Sequence, residues 1–339
     1  MKINYIILFI SISMFSTRIV AWKKNTSITR KTITQLKLSH NNNNNNNKNN
    51  NNKNEQCIIT SKNNNVYCNS EAELYIKQND FLTNKKLITI SPGGFKGFYL
   101  LGVLTFIKEN YNLDNFIFSG ASAGSWNSLF MCYKGEPLDF VYNLLDYNIK
   151  KATTINELQY FMKYKILSTY KESNFDLQRL FIGVTTFNKF KPITNIYSDF
   201  SDLDDAINCC MASSHIPLIT GGITNRYHNM YSFDGGFSSY PYLHKENSVL
   251  HVSHTMWAEI KNKDKNKRRS VKGLIQSIKH FTEFFSISKN NLLELFDNGY
   301  NDAKKNKKYL DEVFIERKEE KQEQEQQQVT DKEESNIEF

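Results

Sequence analysis

From residue 85 onward, short apolar runs alternate with longer stretches whose apolar residues recur every three or four positions. "KKLITIS" (85–91), "NFIFSG" (115–120), "LFIGVTTFN" (180–188), "KPITNIYSDF" (191–200) and "SVLHVSH" (248–254) have the length and β-branched content of strands. "GFYLLGVLTFIKEN" (97–110), "SAGSWNSLFMCYKG" (122–135) and "LDDAINCCMASS" (203–214) carry the helical period, the last with Ser201 or Asp204 near its start. "NMYSFDGGF" (229–237) reads as a strand running into a turn, and residues 271–306 as two helices rich in Phe and Leu. Strands alternating with helices at this spacing predict an α/β fold with a mostly parallel sheet. No internal repeat interrupts the pattern.

The flanks lose this periodicity. Met1 and Lys2 precede the apolar run "INYIILFISISMF", and Ile19 and Ala21 suit the −3 and −1 positions of a signal-peptidase site, so residues 1–21 read as a signal peptide or, if uncleaved, a signal anchor. Residues 22–70 begin with a basic, Ser- and Thr-rich stretch of transit-peptide composition and continue into an Asn tract with nothing to bury, which predicts disorder. This leader implies entry into the secretory pathway, ending in secretion, an endomembrane lumen or a secondary plastid. The folded domain is expected over 71–310, followed by a charged Glu- and Gln-rich tail at 311–339.

Charge changes the picture only by its position. The net charge is +8, but residues 1–54 hold nine basic residues and no acid, leaving 34 basic against 35 acidic residues in the rest. A nearly neutral body argues against a nucleic-acid partner. The five cysteines lack metal-ligand spacing; Cys132, Cys209 and Cys210 fall in apolar helical patterns as buried thiols, which leaves room for a Cys57–Cys68 bridge.

Three short motifs carry candidate chemistry. In "SGASAGS" (119–125), Ser122 stands between Gly120 and Gly124, after a strand and before a helix, the setting of a nucleophile elbow. Small residues are needed there because side chains at 120 and 124 would strike the flanking strand and helix. In "SPGGFKG" (91–97), a glycine loop follows the first long strand and can expose backbone N–H groups to an anion. Lys96 is followed by Gly97 and Phe98 rather than Ser or Thr, so a nucleotide phosphate loop is a poor match. In "SFDGGF" (232–237), Gly235 and Gly236 let the chain turn away after Asp234, leaving a carboxylate at the sheet edge; an isolated Asp-Gly-Gly is also an ordinary turn.

Taken in order, "PGGFKG", "GASAG" and "DGG" resemble the patatin-like phospholipase family over roughly residues 86–240, and "CCMASSHIPLITGG" resembles the family's stretch before its aspartate. The resemblance implies a three-layer fold with a mostly parallel central sheet and helices on both faces. It implies Ser122 as nucleophile, Asp234 as its partner base, and backbone at Gly93 and Gly94 as oxyanion hole, with Lys96 at the family's basic position. The implied activity is hydrolysis of glycerolipid or phospholipid esters at a membrane or lipid surface, without metal or organic cofactor. One departure is Pro92, which stands where the family usually has glycine and lacks an N–H. Two other readings remain: a Ser-Asp-His hydrolase using His244, His251 or His254, and a lipid-binding protein without turnover. His215 lies near the expected site. Phe281, Phe284, Phe285, Leu292, Leu293 and Phe296, within the aromatic-rich segment 271–300, are more apolar than one buried helix face needs: they either pack in the core against the sheet or lie near the mouth of the site.

Overall fold

The computed structural model describes residues 58–60, 65–68, 70–146, 149, 152, 154–188, 191–238, 240–245, 247–261 and 291–314. In chain order the strands are β1 (Ile58–Thr60), β2 (Asn65–Cys68), β3 (Lys86–Ile90), β4 (Phe116–Gly120), β5 (Leu180–Asn188), β6 (Lys191–Tyr197), β7 (Asn225–Tyr227), β8 (Met230–Ser232) and β9 (Ser248–Val252). The helices are α1 (Ser70–Gln78), α2 (Asp80–Thr83), α3 (Gly97–Asn110), α4 (Ala123–Cys132), α5 (Pro137–Leu144), α6 (Ile155–Thr169), α7 (Leu203–Ser213), α8 (Met256–Lys261), α9 (Leu292–Lys305) and α10 (Lys307–Phe314).

Seven strands form the central sheet in the order β1-β2-β6-β5-β4-β3-β9. Strands β9, β3, β4 and β5 run parallel, β6 turns back antiparallel to β5, and β2 joins β6 in parallel. Side chains alternate across this sheet, as the two-residue period requires. Leu87, Ile117, Phe181 and Ile196 meet Ala72 and Tyr75 of α1 and Leu82 of α2 on one face. Ile88, Ile90, Phe118 and Ile182 face the other way, into a larger core shared with α3, α4 and α7. The result is a mixed α/β fold with a mostly parallel central sheet and helices on both faces.

Helix α3 is apolar nearly all round, with ten of its fourteen residues buried. A helix of that kind must be covered on every side. Helix α9 supplies the outer cover, and it approaches so closely that a Cβ on Gly299 would lie 1.9 Å from the Tyr99 carbonyl oxygen. Gly102 makes the reciprocal approach, its Cβ position falling 2.0 Å from the Phe296 carbonyl oxygen.

The sheet starts earlier than the boundary drawn at Glu71, because β2 pairs with β6 from within the stretch assigned to the leader. Three-residue and four-residue strands carry too little pattern to stand out beside an Asn tract. At the other end α10 runs past Leu310 to Phe314, whose ring stacks on Tyr111 at 4.5 Å. Leu310 and Phe314, one helical turn apart, are both buried although the surrounding sequence is charged. Helix α7 is capped by Asp202, whose side chain accepts the Asp205 N–H at 2.8 Å; it lies between the two expected starting residues, Ser201 and Asp204. Cys132, Cys209 and Cys210 are buried free thiols. Expectations for residues 1–54, Cys57, residues 262–290 and the tail from 315 lie outside the described residues.

Candidate active site

Strands β3 and β4 are adjacent, and Ile90 pairs with Gly120 at their ends. The glycine loop that leaves β3 and the elbow that leaves β4 therefore open side by side. Ser122 occupies the elbow with φ 53° and ψ −127°. A non-glycine residue in this region carries about 1–3 kcal/mol of strain, and its surroundings must hold it there. They do so by close fit: a Cβ on Gly124 would fall 2.1 Å from the Ile90 carbonyl oxygen, and one on Gly120 2.1 Å from the Gly124 carbonyl oxygen.

Hydrogen bonds complete the clamp. The Ser122 N–H donates to Ser213 Oγ at 2.8 Å, and the Ser213 hydroxyl donates to the Gly183 carbonyl at 2.6 Å. Ser125 Oγ donates to the Ser122 carbonyl at 2.6 Å. Asn127 Nδ2 donates to the carbonyls of Gly97 and Ala123, at 3.1 and 2.9 Å, and so ties the start of α3 to the start of α4. Ser125 closes the elbow stretch and Ser213 falls in the stretch before the aspartate, but sequence reasoning gave neither of them, nor Asn127, a part in holding the elbow.

Asp234 arrives from another direction. Phe233 exchanges both backbone hydrogen bonds with Thr185 of β5, at 3.1 and 2.8 Å, which anchors the end of the β7–β8 hairpin to the main sheet. The Asp234 N–H then donates to the His215 carbonyl at 2.7 Å, and Gly235–Phe237 turn away as a short 3-10 helix. A Cβ on Gly235 would fall 2.5 Å from the Gly183 carbonyl oxygen, so the turn is pressed against β5. One carboxylate oxygen, Oδ1, accepts the Gly236 N–H at 2.6 Å; the other, Oδ2, accepts the Ser122 hydroxyl at 2.6 Å.

Both partners are buried, Ser122 at 7% and Asp234 at 3% exposure. Burial pushes the Asp234 carboxyl up to about 6, while the hydrogen bonds from Ser122 and Gly236 pull it back toward ionisation. Near neutral pH the group is mostly a carboxylate, yet it is a stronger base than an exposed aspartate. A carboxylate in that state, bonded directly to a serine hydroxyl, can take up its proton.

The glycine loop presents Gly93 and Gly94 with N–H groups that donate to no acceptor among the described residues. The Lys96 N–H is already bonded to the Gly93 carbonyl at 3.0 Å. Ala123 opens α4 with its N–H unspent, and both Gly94 and Ala123 line the cleft that holds Ser122 and Asp234. The residue following a nucleophile at an elbow is a usual oxyanion donor, so the elbow itself pointed to Ala123.

That cleft encloses about 760 Å³, its open mouth included. Its walls are apolar: Phe98 and Leu101 from α3, Phe130 from α4, Leu144 from α5, and Met162 and Ile166 from α6. The site is thus a serine and a buried carboxylate at one end of a greasy cleft. Residues 88–243 match the family model for Patatin-like phospholipase. They form a patatin-like domain. No curated protein matches the chain.

The match spans the glycine loop, the elbow and the Asp-Gly-Gly turn, and it supports a place among the lipid acyl hydrolases. Strand β9 and helices α9 and α10 lie outside the matched span and pack against it, β9 on β3 and α9 on α3. A triad through His244 or His251 finds no geometric support here. The Ser122 hydroxyl bonds directly to Asp234, while His251 Nδ1 pairs with Thr89 Oγ1 at 2.8 Å and His244 is exposed. His215 contributes its backbone carbonyl to Asp234, and burial lowers the pKa of its ring. Of the two placements open to the aromatic segment, its described part takes the core and not the mouth: Leu292, Leu293 and Phe296 pack around α3, and no residue of α9 lines the cleft. Phe281, Phe284 and Phe285 lie outside the described residues. Among the described residues, no three His, Cys, Asp or Glu side chains gather to hold a metal ion.

Proposed function

We propose that the protein hydrolyses a carboxylic ester of a glycerolipid through a Ser122–Asp234 dyad and an acyl-enzyme intermediate. The observation that carries this reading is the 2.6 Å hydrogen bond from Ser122 Oγ to Asp234 Oδ2 at the end of an apolar cleft. Asp234 takes the hydroxyl proton as Ser122 Oγ bonds to the ester carbonyl carbon. The oxyanion of the tetrahedral intermediate accepts from the N–H groups of Gly93 and Gly94 and from that of Ala123, each worth about 3 kcal/mol in serine hydrolases. Collapse breaks the bond to the alcohol oxygen, which leaves with the proton from Asp234. Water then gives a proton to Asp234, attacks the acyl-enzyme, and releases the fatty acid as Ser122 recovers its proton. Asp234 and water balance every step, so the reading invokes no metal or organic cofactor.

Electrostatics favour the same division of roles. A dyad without imidazole needs a carboxylate basic enough to accept the serine proton, and burial supplies that basicity at Asp234. Phe98, Leu101, Phe130, Met162 and Ile166 give an acyl chain a water-free bed beside Ser122. The experiment is hydrolysis of a short-chain soluble ester, with fatty-acid release from a mixed glycerolipid extract to identify the substrate. Ser122→Ala and Asp234→Asn are each expected to lose activity by about a thousandfold or more while remaining folded. Alanine at His244, His251 or His254 is expected to leave most turnover. Activity that survives Ser122→Ala, or that collapses on replacing one of these histidines, would refute the dyad.

A further inference from the structure

Helix α6 is apolar on two opposite faces. Leu158, Met162 and Ile166 line the cleft from inside. Tyr160, Phe161, Tyr164 and Leu167 stand on the far side, 57%, 37%, 73% and 37% exposed. Positions 160, 164 and 167 form one stripe along the helix, where a domain helix ordinarily places charged residues. Neither Tyr160 nor Tyr164 hydrogen-bonds to another described residue. An aromatic face this exposed, and without a hydrogen-bond partner among the described residues, is a surface suited to meet something else.

The loop 216–223 repeats this two-sided arrangement. Ile216 and Thr220 line the cleft, whereas Leu218 and Ile223 are 47% and 60% exposed. The loop abuts the start of α6, since a Cβ on Gly221 would lie 3.5 Å from Asn156 Oδ1. Leu218 is held at φ 67°, a left-handed conformation that leucine rarely adopts. The fold thus keeps an apolar side chain outward at some strain. Both segments wall the cleft on one side and present large apolar groups on the other.

Charge identifies the kind of partner. Lys163 and Lys165 flank the stripe, but Lys163 Nζ is paired with Asp204 at 2.7 Å and Lys165 Nζ with Asp146 at 3.0 Å. The border of the surface therefore brings neutralised ion pairs in place of a free basic patch. Tyrosine, with an apolar ring and a polar tip, suits the boundary between headgroups and acyl chains. Among the described residues no helix is long and apolar enough to cross a membrane, so contact through such a face would be peripheral.

We propose that the outer stripe of α6, with Leu218 and Ile223, seats the domain on the surface of a neutral phospholipid bilayer, so that a lipid passes from the bilayer into the cleft behind it. This rests on the acyl hydrolase reading for its purpose, and its test is independent of turnover. Full-length protein carrying Ser122→Ala is mixed with phosphatidylcholine vesicles at low and high salt, and bound protein is measured by flotation. Adding Tyr160→Ser, Tyr164→Ser and Leu167→Ser is expected to weaken binding by about tenfold or more, with an unchanged melting temperature. In a second variant, Leu218→Gly with Ile223→Ser, binding is expected to weaken while stability is kept, because glycine accepts the left-handed backbone. In the otherwise wild-type background both sets should hydrolyse a short-chain soluble ester at the original rate.

Undiminished flotation of the folded triple variant would overturn the proposal, and so would binding that vanishes at high salt. Resistance of Tyr160 and Tyr164 to tetranitromethane in vesicle-free protein would also overturn it, by showing that the chain itself or a second copy covers them. A wild-type protein that floats through this stripe yet hydrolyses no ester would uphold the docking surface and remove the acyl hydrolase reading.

Discussion

Ser122 and Asp234 are held by opposite physical means. The serine sits in a strained backbone conformation that neighbouring glycines permit and Ser213 fastens, whereas the aspartate is buried where its charge is disfavoured. With a pKa near 6, Asp234 loses its basic form as pH falls, so the rate is expected to drop below about pH 6 and to level off above about pH 7. The same displacement bears on stability. Its folded pKa lies above the ordinary 3.8, so the carboxyl favours folding below about pH 4, and that contribution is lost as pH rises through 6. The difference corresponds to about 3 kcal/mol at neutral pH. Asp234→Asn should therefore be more stable than the natural protein near neutral pH, with an advantage that shrinks toward pH 4; thermal melts across that range check it. An advantage that grew with acidity would contradict the burial argument. Ser122, Asp234 and the glycines around them were legible because their turns tolerate few residue types. Ser213 and Asn127 were not, since a single small polar residue on a helix looks the same whether it faces solvent or an elbow.

At the scale of elements, β3 to α3 and β4 to α4 set the glycine loop beside the serine, and α9 holds α3 in place from outside. Gly102 and Gly299 let the two helix backbones approach where any side chain would collide with a carbonyl. Gly299→Ala is expected to destabilise the domain by about 1–3 kcal/mol and to lower ester hydrolysis as well, because α3 begins at the glycine loop. Melting and activity measured together test the coupling, and a fall in stability without loss of rate would separate α9 from the site. The helical pattern of 292–305 was visible in the sequence, but its partner was not. Spacing shows that one face is apolar and leaves open which of several apolar surfaces it meets. For that reason the aromatic segment could be assigned to the core or to the mouth, and its described part is found in the core behind α3.

For the whole molecule, the net positive charge comes from residues 1–54, ahead of the described strands. That leader is expected to route a fused reporter into the secretory pathway, and its removal to leave ester hydrolysis intact. A reporter that stayed in the cytosol would refute the first part, and a dead truncated enzyme the second. The α/β alternation, the central strands and the three motifs followed from local rules of period, turn geometry and steric room, which a sequence states directly. Which residues complete the site depended on distances across the chain. Asp234 reaches Ser122 only because the β7–β8 hairpin is pinned to β5 through Phe233 and Thr185, and the cleft exists only because α5 and α6 close over α3 and α4. The aromatic stripe on α6 is the plainest case. In sequence, Tyr160, Tyr164 and Leu167 are indistinguishable from core residues. Their exposure was decided when Met162 and Ile166 took the inward face, since a helix on the outside of the fold turns only one side to the interior.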